Sequence, residues 1–217
     1  MERVRRIVTR SGGGYRGKFP SRKLKRAVHY QSLLERDAIL HLEYHPSVLV
    51  YQEQPYELTY YDAEQRARSY FPDFLAVLVT EEQVYIEVKP EEKLGHRRVR
   101  EKLARVAVRF EELNQRYRVW TQRHIRRGPL IDNLKALHAA NRPVGSGAEF
   151  DYVVESLRHE STSYEFSELV RRVGSEAKVL RLIALGTFQV DLEQAMTPST
   201  RVWTQSDKEN QHGSFSL

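Results

Sequence analysis

Two short apolar runs joined by a polar segment constrain the fold of this chain most. Residues 74–79 and 84–86 are rich in branched and aromatic side chains, and residues 80–83 between them are typical of a turn. This pattern predicts a β-hairpin. Because the strands of a hairpin run in opposite directions, we expect Asp73 before the first strand and Lys89 after the second at the same end of it.

Charged residues cluster at that end of the predicted hairpin. Asp73 and Glu87 would supply carboxylate oxygens of the kind that Mg²⁺ prefers. Lys89 follows Glu87 by two positions, so both project from the same face of a strand. An ammonium group there could orient an attacking water and offset charge in a transition state. An isolated Glu-x-Lys pair is more often a solvated ion pair, and the pattern alone leaves both interpretations open.

The composition excludes several classes of protein. With no cysteine among its 217 residues, the chain has neither a disulfide framework nor a thiolate metal site. No apolar run reaches the length of a transmembrane helix, and the basic start lacks the apolar stretch of a secretion signal. We expect a cytoplasmic protein without membrane association.

Charge is segregated along the chain. Residues 1–30 hold ten Lys or Arg against one Glu, residues 31–92 hold four basic against thirteen acidic residues, and residues 93–127 hold twelve basic against three acidic residues. Two basic blocks thus flank an acidic centre, as expected of a metal site beside a phosphate-binding surface. Ordinary solvated faces would give the same counts.

The sequence predicts two domains. Low apolar content predicts a flexible basic arm at residues 1–20, and residues 21–142 are predicted to form an α/β domain with a mixed sheet flanked by helices. A linker at residues 143–149 precedes a small winged-helix-like domain at residues 150–204 and a flexible tail at residues 205–217. The net charge of −3 in residues 128–217 favours a protein partner over DNA for this second domain.

Two predicted helices of the larger domain carry candidate residues. Ser32 and Glu35 match the capping box of a helix that begins near residue 32, which would by itself explain Glu35. A longer helix is predicted at about residues 94–117, with an apolar stripe beside a basic ridge that could follow a DNA backbone or keep the helix soluble. The stripe comprises Val99, Leu103, Val106, Phe110 and Leu113, and the ridge comprises Arg98, Lys102, Arg105 and Arg109.

Five sequence blocks occur in a specific order. They are residues 32–37 (SLLERD), 42–46 (LEYHP), 51–55 (YQEQP), 68–74 (RSYFPDF) and 87–90 (EVKP). Together they resemble the TnsA endonuclease subunit of heteromeric transposases, and the resemblance covers most of the chain. One departure is His45, where the family more often has an acidic residue. It follows the helix and is not part of the catalytic set.

The resemblance implies a core like that of restriction endonucleases, with Glu35, Asp73, Glu87 and Lys89 as catalytic residues. It also implies that Glu35, Asp73, Glu87 and the Val88 carbonyl bind Mg²⁺, for which Mn²⁺ can substitute. Such a subunit cuts the 5′ ends of double-stranded transposon DNA in the bacterial cytoplasm. Its implied partners are a DDE-type transposase, TnsB, and an AAA+ regulator, TnsC.

Two alternatives remain open at this point. One is a stand-alone restriction or repair nuclease of the same fold, which would nick plasmid DNA without partners. The other is a DNA-binding adaptor in which the nuclease residues are only structural. The complete set of Asp73, Glu87 and Lys89 argues against the adaptor.

Overall fold

The computed structural model describes residues 15–141 and 148–204. The chain forms two compact units, Met1–Glu43 with Ser47–Arg127, and Tyr44–Pro46 with Gly128–Leu217. The predicted tail, residues 143–147 of the predicted linker and the first fourteen residues of the predicted arm lie outside the described residues. The division falls at Gly128, so residues 128–141, which the sequence assigned to the α/β domain, group with the second unit.

The first unit has mixed α/β structure, as predicted. Its elements are β1 (Gly17–Ser21), β2 (Arg26–Tyr30), α1 (Leu33–Tyr44), β3 (Val48–Glu53), β4 (Leu58–Tyr61), β5 (Ala67–Tyr70), β6 (Phe74–Leu78), β7 (Gln83–Val88), α2 (Glu91–Leu94), α3 (Arg97–Glu112), β8 (Arg116–Trp120) and α4 (Gln122–Ile125). Its four-stranded sheet has the order β3-β6-β7-β8. The first two pairings are antiparallel and the pairing of β7 with β8 is parallel, so the sheet is mixed.

The predicted hairpin is confirmed. Strands β6 and β7 pair in antiparallel fashion with Phe74 opposite Ile86. A tight turn joins them, in which the main-chain N–H of Leu78 donates to the carbonyl of Glu82 at 2.9 Å. The helix predicted to begin near residue 32 also forms, as α1.

Two predictions about element bounds are wrong. The arm predicted at residues 1–20 overlaps β1, which pairs with β2. Phe19 of β1 and Val28 of β2 are both buried. The single helix predicted at residues 94–117 is instead α2, α3 and then β8. Since α3 ends at Glu112, Leu113 lies beyond the helical stripe and is 41% exposed.

Helix α3 packs its apolar side into an aromatic core. Val106 and Phe110 are fully buried, and Leu103 is buried beside them. The ring of Phe110 stacks on Tyr117 of β8, with ring centroids 4.7 Å apart. The other buried members of this core are Leu58, Tyr60, Tyr70, Leu75 and Tyr85. The core therefore ties α3 and the β4–β5 hairpin together beside the sheet.

The second unit contains four helices and three strands among its described residues. They are α5 (Gly128–Ala140), α6 (Ala148–Glu160), β9 (Ser163–Glu165), α7 (Phe166–Val173), α8 (Glu176–Ala184), β10 (Phe188–Val190) and β11 (Arg201–Thr204). The strands form an antiparallel sheet in the order β10-β11-β9. Helix α7 ends at Gly174, whose φ of 94° suits a residue without a β-carbon. In neither described range is any helix both long and apolar enough to cross a membrane.

Candidate active site

Three strand ends meet around Asp73. The residue precedes β6, and its carbonyl accepts a hydrogen bond from the main-chain N–H of Gln54, just after β3, at 2.9 Å. Its side-chain Oδ2 accepts a hydrogen bond from the main-chain N–H of Val88, at the end of β7, at 2.7 Å. The carboxyl of Asp73 is thus fixed beside the Val88 peptide.

Glu87 and Lys89 form an ion pair on one side of β7. Lys89 Nζ lies 2.6 Å from Glu87 Oε1. The other carboxylate oxygen of Glu87 accepts a hydrogen bond from the hydroxyl of Tyr70 at 2.6 Å. The main-chain N–H of Lys89 donates to the carbonyl of Trp120 in β8, which continues the parallel pairing past Val88. The spacing of two residues therefore brings both side chains to the same face, as the sequence predicts.

Tyr70 and Tyr117 lie beside Glu87 and were not identified from the sequence, whereas Lys102, which contacts Tyr70, was predicted only as part of the basic ridge. The hydroxyls of Tyr70 and Tyr117 are 2.8 Å apart, and Lys102 Nζ lies 5.0 Å from the centroid of the Tyr70 ring. Burial, and then the charge of Glu87, raise the pKa of both tyrosines above the ordinary value. Both hydroxyls therefore stay protonated at neutral pH. Tyr70 lies in the 68–74 block, but only the fold shows which way its hydroxyl points.

Glu35 caps helix α1. Its Oε2 accepts a hydrogen bond from the main-chain N–H of Gln31 at 2.7 Å, and its Oε1 accepts one from the Ser32 hydroxyl at 3.0 Å. The Ser32 oxygen in turn accepts from the main-chain N–H of Glu35 at 3.1 Å. This is the capping interpretation considered above. Glu35 nevertheless lines the same small cavity as Asp73. Its capping role therefore does not exclude a role at the candidate site.

The site brings three acidic side chains together with one ammonium group. Burial raises the pKa of Asp73 well above its usual range, and the carboxylates of Glu87 and Glu35 raise it further. Burial also raises the pKa of Glu35. At Lys89, burial lowers the pKa, but the carboxylates of Glu87, Asp73 and Glu35 outweigh this effect and raise it overall. Lys89 is therefore a cation at neutral pH, facing three carboxyl groups.

These residues fit a divalent cation by their chemistry. When ionised, the three carboxyl groups outnumber the one ammonium, and a bound cation would stabilise that ionised state. The cavity shared by Glu35 and Asp73 is also lined by Gln54, whose buried Oε1 atom has no hydrogen-bond partner. Within residues 15–141 and 148–204, no three His, Cys, Asp or Glu side chains are grouped so as to hold an ion. Mg²⁺, however, commonly binds one or two carboxylates and keeps several waters.

The basic ridge of α3 is largely exposed to solvent. Arg98, Lys102 and Arg105 are exposed, whereas Arg109 is partly buried and pairs with Glu112 at 2.8 Å. Lys102 extends from this ridge towards Tyr70, and so towards the hydrogen-bonded group around Glu87. Lys102 and Tyr70 thus connect the basic ridge to Glu87 within the first unit.

Comparison with known proteins supports an endonuclease. Residues 45–122, somewhat over a third of the chain, match a family model described as "TnsA-like endonuclease N terminal". The match contains Asp73, Glu87, Val88, Lys89 and the basic ridge, and it leaves out Glu35 and nearly all of the second unit. No curated protein matches the chain. The match supports a TnsA-like endonuclease that acts on DNA.

Proposed function

We propose that this TnsA-like endonuclease is the subunit of a heteromeric transposase that hydrolyses phosphodiester bonds at the 5′ ends of a transposon, and that it requires Mg²⁺. The observation that carries the proposal is the meeting of Asp73, Glu87 and Lys89 at the ends of neighbouring strands, within the residues that match the endonuclease family. Mn²⁺ is expected to substitute for Mg²⁺, because both accept hard oxygen ligands.

Asp73, Glu87 and Glu35 are the proposed carboxylate ligands, directly or through water molecules on the cation, and the Val88 carbonyl is a proposed further ligand. The hydrogen bond from the N–H of Val88 to Asp73 supports this set, because it holds the backbone of Val88 beside the carboxylate. A bound divalent cation would supply charge neutralisation and an activated water. The fold of the first unit, a mixed sheet with helices, supports a restriction-endonuclease-like core for this chemistry.

Lys89 is proposed to act as a cation and not as a base. Its pKa is raised overall, so the ammonium keeps its protons at neutral pH. It can donate hydrogen bonds to the attacking water or to a phosphate oxygen and offset the charge that develops there. The Tyr70 hydroxyl, which donates to Glu87, is a positioning group that keeps the Glu87 carboxylate orientated.

The basic ridge and the second unit are proposed to bind DNA and protein, respectively. Exposed Arg98, Lys102 and Arg105 support phosphate contacts. In the second unit, the order α6-β9-α7-α8-β10-β11 and the three-stranded antiparallel sheet support a winged-helix-like domain. Its mildly acidic composition favours contact with protein partners, for which TnsB and TnsC are the candidates. The assembly would act on transposon DNA in the bacterial cytoplasm.

The test is cleavage of end-labelled transposon DNA by the purified protein with its transposase partner and Mg²⁺. We expect Asp73→Ala to abolish cutting at the 5′ ends while binding to the partner persists. Asp132→Ala is the matched control, because Asp132 is 79% exposed on α5, and it should cut like the wild type. Undiminished cutting by Asp73→Ala would refute the proposal, and nicking by the wild type without any partner would favour a stand-alone nuclease.

A further inference from the structure

Gln54 has an unusual backbone conformation next to the proposed site. It directly follows β3 and precedes Pro55, and its φ is 44°. Positive φ is unfavourable for a residue with a β-carbon and is often retained where function requires it. Its main-chain N–H donates to the carbonyl of Asp73, which joins the two residues at the strand ends.

The Gln54 side chain presents a buried oxygen that the protein leaves without a donor. Oε1 has no hydrogen-bond partner, although the amide lines the cavity shared by Glu35 and Asp73. Among the described residues no donor is placed to hydrogen-bond to Oε1, and a carboxylate in its ionised, cation-binding form cannot become one. A buried acceptor without a partner is destabilising, and such an atom in a folded protein calls for an explanation.

We propose that Oε1 of Gln54 is an additional ligand, directly or through one water, of the divalent cation assigned above to Asp73 and Glu35. An amide oxygen is a hard ligand of the same class as a carboxylate oxygen, but it adds no negative charge to a site that already has three carboxyl groups. The cation would satisfy the buried oxygen, and the backbone bond to Asp73 would hold both ligands in register. This inference rests on the proposed function.

The experiment is calorimetric titration of the full chain with Mn²⁺, which measures binding without catalysis. Gln54→Leu keeps the size and the β-carbon but removes the oxygen, and we expect roughly 10- to 100-fold weaker binding. Gln54→Glu keeps an oxygen ligand and should bind at least as tightly as the wild type. Gln65→Leu is the matched control, because Gln65 also has positive φ, 59°, but is exposed and does not line this cavity. It should bind like the wild type.

The outcomes separate this inference from the proposed function. Equal Mn²⁺ affinity of Gln54→Leu and the wild type overturns the role of Gln54 alone. A wild type that binds no Mn²⁺ overturns the metal dependence itself, and this inference with it. If Gln54→Leu fails to fold, as judged by its melting temperature, Gln54→Glu decides. Weaker binding by that variant would indicate that the amide NH₂, and not the oxygen, faces the carboxylates, which also overturns the inference.

Discussion

The carboxyl group of Asp73 is held near two other carboxyl groups by a hydrogen bond from the Val88 peptide. Ionising a carboxyl group in such surroundings lowers the stability of the fold, because burial and like charge both oppose its negative charge. Stability alone therefore does not explain an acidic residue at this position. The nearby ammonium of Lys89 offsets only part of this cost. At the scale of single residues, the position of Asp73 therefore costs stability, as expected if the site is built to bind a cation.

Replacing Asp73 by Asn should stabilise the metal-free protein at neutral pH. The pKa of Asp73 is raised in the folded state. Below the unfolded pKa of about 3.9 the carboxyl therefore does not lower the free energy of unfolding, and the full loss is reached once the pH has risen through the folded pKa. The melting temperature of Asp73→Asn, measured with a chelator, should exceed that of the wild type near neutral pH, and the gap should close on acidification. Asp132→Asn should leave the melting temperature unchanged. Equal melting temperatures of Asp73→Asn and wild type at neutral pH would contradict this account.

Lys89→Ala should lower the cleavage rate by roughly 100- to 1,000-fold, the usual effect of removing one electrostatic catalytic donor. The reason is that the proposed mechanism uses this ammonium, which pairs with Glu87 at 2.6 Å, to offset charge on the reacting phosphate. Single-turnover cleavage with saturating Mg²⁺ measures the effect. Lys93→Ala, an exposed lysine on α2, is the control. A loss below about tenfold would make Lys89 a structural partner of Glu87.

At the scale of elements, local patterns were predicted and long-range ones were not. The β6–β7 hairpin was predicted because its two runs and its turn are contiguous in sequence. The β1–β2 hairpin was missed because its strands contain few apolar residues and bury chiefly Phe19 and Val28. Its connecting turn is stabilised by a distant carboxylate, Glu43 of α1, which accepts hydrogen bonds from the Ser21 hydroxyl at 2.6 Å and the N–H of Arg22 at 2.9 Å. Sequence spacing does not reveal such a contact.

The residues of the candidate site likewise include some that the sequence predicted and others that only the fold reveals. Spacing predicted that Glu87 and Lys89 share a face, and hairpin geometry predicted that Asp73 lies near them. Glu35 was identified through resemblance, because its local pattern indicated only a capping box. Tyr70 and Gln54 were missed, since a hydroxyl that bonds to Glu87 and an amide oxygen without a donor are properties of tertiary packing.

The basic ridge of α3 should contribute to DNA binding as an element. Lys102→Gln with Arg105→Gln removes two exposed charges from it, and the slope of log affinity against log salt should become shallower by about 2. The matched double variant, Arg97→Gln with Arg100→Gln, removes two exposed charges that lie outside the ridge on α3 and should change the slope little. Fluorescence anisotropy with duplex DNA across a salt titration measures both. Equal slopes for the two double variants would indicate that the ridge does not bind DNA and only keeps the helix soluble.

At the scale of the whole molecule, charge separates the surfaces by function. The acidic stretch at residues 31–92 contains Glu35, Asp73, Glu87 and Lys89, and the stretches on either side of it in sequence are basic, as the proposed attraction for phosphates requires. The acidic C-terminal part, with net charge −3 in residues 128–217, opposes DNA contact and favours a protein partner. The proposed division between catalysis, DNA binding and partner binding thus follows the order of charge along the chain.

Removing residues 1–14, which contain four Arg and one Glu, should weaken DNA association without disturbing β1. Truncation at residue 20 would delete most of that strand and confuse charge with folding. The same anisotropy titration should show lower affinity at low salt and a shallower slope. Unchanged binding at all salt concentrations would assign these residues another role.

The position of Mn²⁺ in a crystal of the full chain tests the central claim most directly. Anomalous diffraction locates the ion without assuming any activity. We predict a peak bonded to a carboxylate oxygen of Asp73 at about 2.0–2.2 Å, within reach of Glu87 or Glu35. A crystal grown at saturating Mn²⁺ with no peak beside Asp73, or with ions bound only elsewhere, would contradict the account.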